Sequence, residues 1–86
     1  MAHVKTSIGF EMEFDTSVFN DMELFDAISE VEKGNMMLLP EVCKKILGDR
    51  KAELYGLLRD ENGRVPVDKV QAQLIEIIEQ ANGKNS

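Results

Sequence analysis

Apolar residues recur along this chain with two different periods. In residues 3–14, Ile8, Phe10, Met12 and Phe14 fall on one side of an extended backbone, and Glu11 and Glu13 on the other. Alternation with a period of two predicts a half-buried β-strand. Val4-Lys5-Thr6, ahead of Ser7-Ile8-Gly9, supplies the first arm of a short hairpin, with Gly9 at the turn or a bulge. An isolated hairpin is marginal in water. Its apolar face therefore has to dock on the rest of the chain or pair with the edge of another chain.

From Asn20 onward the period becomes helical. Asn20 with Glu23 three residues later reads as a capping box, and Phe19 and Leu24 are placed for a hydrophobic staple. The first helix points Leu24, Phe25, Ile28 and Val31 inward, leaves Asp21, Glu23, Asp26, Glu30 and Glu32 outside, and ends at Gly34. A second helix starts at about Met37, with Asn35 as cap, or at Pro40, and runs to Leu47. Leu39, Val42, Cys43, Ile46 and Leu47 form its buried stripe, and Lys44 and Lys45 lie at the end that favours cations. Gly48 stops it, and Asp49 caps a third helix over 50–59. Gly56 inside that helix costs about 1 kcal/mol relative to Ala and predicts a close backbone approach.

Read by pattern alone, the chain is organised around residues 54–70: Leu54, Leu57 and Leu58 close one helix, Asp60-Glu61-Asn62-Gly63 reverses the chain, and Pro66 opens another. The last helix buries Val67, Val70, Leu74, Ile77 or Ile78, and Ala81. The fold class is mainly α: one domain over 1–86, a compact bundle of about four short helices over 20–81, a strand or hairpin over 3–14, and a frayed tail over 82–86.

Charge changes this picture more than composition does. Residues 1–42 hold nine acidic and two basic residues, whereas 43–86 hold seven acidic and eight basic, giving the net −6. An acidic surface argues against phosphate-backbone binding and against anionic membranes. The longest apolar run, Met36-Met37-Leu38-Leu39, is too short to span a bilayer, and no basic stretch followed by an apolar run marks a signal peptide. Cys43 is the sole cysteine. It reads as a small buried hydrophobe in a reducing, cytoplasmic setting, although Lys44 and Lys45 beside it could lower its pKa.

Reactive chemistry is sparse. Aligning Gly63 with position 6 of a calcium loop puts Leu58 at position 1 and Lys69 at position 12, where a bidentate carboxylate is required, so a metal is not expected. His3, the sole histidine, reads as a solvated residue near the start of the chain. No phosphate loop or nucleophile motif occurs, and neither an enzyme nor a cofactor is expected.

At Asn20-Asp21-Met22-Glu23-Leu24, Lys33-Gly34-Asn35, Leu39-Pro40 and Glu61-Asn62-Gly63-Arg64-Val65-Pro66, the chain resembles small tail-module proteins of long-tailed bacteriophages and Gram-positive prophages. These are commonly described as tail assembly chaperones. The resemblance spans about Gly9 to Ala81 and rests on turn and cap signals. It implies a non-enzymatic cytoplasmic protein that binds the helical tape-measure protein, keeps it soluble and helps recruit tail-tube subunits. It carries no binding motif over residue by residue. Partner-binding candidates are Met22, Phe25, Met36, Met37 and Tyr55, with methionine giving an adaptable surface; ordinary core roles remain open for the methionines. A homo-oligomer, a head–tail connector or other structural component, and a small regulatory module using Lys44, Lys45, Arg50 and Lys51 also remain open.

Overall fold

The computed structural model describes residues 2–81. Strands β1 (Ala2–Lys5) and β2 (Glu11–Phe14) form an antiparallel hairpin with Val4 opposite Met12. Even-numbered residues face inward: Val4, Phe10 and Phe14 are buried with Met12. Burying a side chain such as Phe10 contributes roughly 1.5–3 kcal/mol. Ile8 departs from the expected alternation. It lies in the turn before Gly9 (φ +90°), where the strand period does not operate, and is exposed.

Helix α1 spans Met22–Glu32. Its cap is Asp21, not Asn20, because Asn20 closes a 3-10 turn over Thr16–Phe19 through its N–H to the Ser17 carbonyl. Asp21 is then the extended residue, and its carboxylate accepts from the N–H groups of Glu23 (2.9 Å) and Leu24 (3.4 Å). With Asp21 as cap, Phe19 and Leu24 no longer occupy the staple positions; Phe19 packs on Phe14, with ring centroids 5.9 Å apart. The inward stripe is Leu24, Ala27 and Val31, flanked by Ile28, and Phe25 lies outside it. Gly34 (φ +103°) ends α1 as expected. Its N–H bonds to Val31, and the Asn35 N–H bonds to Glu30, which satisfies the last carbonyls as a Schellman pair.

A 3-10 turn over Met36–Leu38, with no side-chain cap from Asn35, leads into α2 (Leu39–Leu47). All five stripe residues of α2 are buried, making it the most enclosed helix. The expected bundle of about four separately connected helices needs correction here. Gly48 (φ +53°) ends α2, but a 3-10 turn over Gly48–Arg50 runs straight into α3 (Lys51–Leu58). Among the described residues three helical bodies therefore stand between loops, the middle one interrupted at Gly48. Asp49 lies within that turn and makes no capping bond.

Leu54 and Leu58 of α3 are buried, whereas Leu57 is exposed. Asp60 organises the following reversal: its carboxylate accepts from the N–H groups of Asn62 and Arg64, each at 2.9 Å, while Gly63 takes φ +80°. Helix α4 (Val67–Ala81) begins one residue after Pro66, whose carbonyl accepts from Val70. Val70, Leu74 and Ile77 are buried, as is Gln73, while Val67, expected inside, is exposed. The α3–α4 pair is thus not the organising centre that the pattern suggests: α2 contributes more buried residues than any other element, and the hairpin, α1 and α4 enclose it. The expected frayed tail lies outside the described residues.

The close approach expected at Gly56 is absent: a Cβ there meets nothing within 4 Å. Gly56→Ala should therefore raise unfolding free energy by roughly 0.5–1 kcal/mol in urea denaturation. Destabilisation would mean that Gly56 has a neighbour outside the described residues.

Candidate docking groove

Helix α4 holds the hairpin with one face. The Gln80 side chain accepts from the Lys5 N–H (3.1 Å) and donates to the Lys5 carbonyl (2.8 Å), copying a strand partner. Glu76 accepts from both the N–H (2.8 Å) and the hydroxyl (2.7 Å) of Ser7. These bonds to the Ser7 groups hold the Glu76 carboxyl below its ordinary pKa. On the other strand, Arg50 donates to the Glu11 carbonyl at 2.7 Å, lies over the Phe10 ring at 5.6 Å and pairs with Glu53. Both hairpin edges thus carry side-chain partners at these positions, and Glu11 and Glu13 add charge along β2, which disfavours addition of a further strand.

The opposite face of α4 borders an open apolar groove of about 310 Å³. Leu39 and Val42 of α2 form its buried floor. Phe25, Ile28 and Val31 line it from α1, and Leu74, Ile75 and Ile78 from α4. Phe25 is 51% exposed and Ile75 is 50% exposed, so each wall presents a large apolar side chain to solvent. Glu32, Gln71 and Glu79 supply the polar lining.

A second hollow of about 210 Å³ holds Met36, Tyr55 and Val67, and Leu39 lines both hollows. The five sequence candidates therefore divide. Phe25 belongs to the large groove; Met36 and Tyr55 belong to the smaller hollow. Met22 and Met37 are 70% and 85% exposed and line neither. The 3-10 turn over Met36–Leu38 turns Met36 toward the core and Met37 away, and Met22 stands exposed at the start of α1. Ile28, Ile75 and Ile78 were not among the candidates. For Ile75 and Ile78 the sequence carries half a signal: Leu74-Ile75-Glu76-Ile77-Ile78 is too apolar for one helix stripe, but it does not say which of these residues stays uncovered.

Burial pushes the Cys43 thiol up despite the opposing influence of Tyr55 and of the Lys51 charge, and neither Lys44 nor Lys45 contributes to lowering it. Lys45 pairs with Asp21 at 3.2 Å, which lowers the Asp21 pKa and raises that of Lys45. Lys51 lies 5.8 Å from the centre of the Tyr55 ring. Three of the four clustered bases, Lys45, Arg50 and Lys51, thus have partners within the protein. Among the described residues no cluster of three or more His, Cys, Asp or Glu side chains is arranged to hold a metal ion, and no helix is long and apolar enough to cross a membrane. Compared with known family models, curated proteins and solved structures, the chain matches none.

His3 is exposed but not free. Its Nδ1 lies 2.8 Å from Glu13 and its Nε2 2.9 Å from Glu11, and these carboxylates raise its pKa above the usual 6.5. The clamp's contribution to stability should be complete below about pH 6.5 and be lost as pH rises through the higher folded value. NMR titration of the imidazole protons should give a midpoint above 6.5 that returns toward it in a Glu11→Gln/Glu13→Gln variant. An unchanged midpoint in the variant would contradict the clamp.

Proposed function

We propose that this protein is a non-enzymatic tail assembly chaperone that binds an amphipathic segment of a tape-measure protein and keeps it soluble. The observation that supports this reading is the α1–α4 groove, with an apolar floor and half-exposed Phe25 and Ile75 on its walls. An amphipathic helix laid in such a groove covers its own apolar stripe and the groove together. Hydrophobic burial then drives binding, and no bond-making group is required. The turn and cap motifs that resemble phage tail-module proteins supply the identity of the partner.

Co-expression tests the proposal. A tape-measure fragment that precipitates alone should stay soluble and copurify with this protein. Phe25→Ser/Ile75→Ser should abolish that rescue while leaving the thermal unfolding profile close to the parent's, since both side chains are already half in water. A fragment that precipitates equally with and without the parent protein would contradict the reading.

A further inference from the structure

We propose that the α1–α4 groove selects its partner by charge: it takes an amphipathic helix from another protein whose apolar stripe is flanked by Lys or Arg. The inference rests on the helix-docking reading above and adds the chemistry of the helix that fits.

The groove's ionisable lining has a single sign. Glu32 and Glu79 are its only charged members, and neither makes an ion pair among the described residues. Lys33, adjacent to Glu32, pairs with Glu30 at 3.6 Å. Glu32 also occupies the last turn of α1, which contains no base. A carboxylate there opposes the helix dipole, whereas a cation is favoured. A Lys or Arg from a bound helix answers both the carboxylate and the helix end.

Dimensions fix the rest. The groove follows α1 from Phe25 to Glu32 and α4 from Gln71 to Glu79, roughly 10–12 Å of helix rise. That length receives about two turns of a partner, hence apolar residues at i, i+4 and i+7 with bases beside them. A second copy of this chain fits poorly. It would bring the same two glutamates to the contact and a net charge of −6 on each side.

The test uses the full chain with two synthetic amphipathic helices of about 15 residues, identical in their leucine stripe and flanked by lysines in one and glutamates in the other. Fluorescence anisotropy should give about tenfold tighter binding of the lysine peptide at low salt, narrowing as salt rises. Glu32→Gln/Glu79→Gln should bring the two peptides together, Glu32→Lys/Glu79→Lys should reverse their order, and Ile75→Ser should weaken both. Equal affinity of the two peptides for the parent overturns the proposal. So does a concentration-dependent dimer that Ile75→Ser dissolves, since the occupant is then a second copy. Failure of both peptides while tape-measure rescue persists overturns the charge rule and leaves the docking function standing; loss of rescue as well removes both.

Discussion

The structure depends on α4 being buried from two sides. A chain of 86 residues encloses a thin core, and a two-stranded hairpin has too little apolar surface to stand alone. Helix α4 solves this by holding the hairpin through Glu76 and Gln80 while Val70 and Leu74 close the core with the other helices. Ile77, fully enclosed, lies between those roles. One consequence follows from helical geometry. Residues 75, 78 and 79 project from a third sector that neither task covers, and that sector forms a wall of the groove. The groove is therefore a product of how the small core is assembled.

Electrostatics separates the structural part of the surface from the exposed one. Asp21 with Lys45, and His3 with Glu11 and Glu13, join elements that must stay together, while Arg50 pairs locally with Glu53 and reaches β2 through the Glu11 carbonyl. Asp21 also caps α1, so one carboxylate ties a helix start to α2. Glu32 and Glu79 at the groove have no such role among the described residues. In the second half, Lys45, Arg50 and Lys51 answer acids or aromatic rings of the protein itself, which takes three cations from any surface offered to a phosphate backbone.

Much of the fold was legible in the sequence, because local signals act where they stand. The alternation through Phe10, Met12 and Phe14, the stop at Gly34, the α2 stripe and the reversal at Asp60–Gly63 all follow from short-range geometry. Readings failed where two local signals competed. Asn20 and Asp21 are both good caps, and the 3-10 turn before them decided for Asp21. The junction of α2 and α3 misled for a similar reason: Gly48 ends one helix without requiring a loop before the next. The groove was only partly legible. Phe25 was identified, but its opposite wall at Ile75 and Ile78 depends on which face of α4 the hairpin occupies, a long-range fact that no local pattern carries.

The central claim is that α4 is structural on its hairpin face and free on its groove face. Methyl NMR during titration with a tape-measure fragment tests it most directly. The account predicts large shifts at Ile28, Val42, Ile75 and Ile78, with Val4 and Ile77 nearly unmoved. Shifts centred instead on Met36, Val65 and Val67, or on the hairpin methyls, would contradict it.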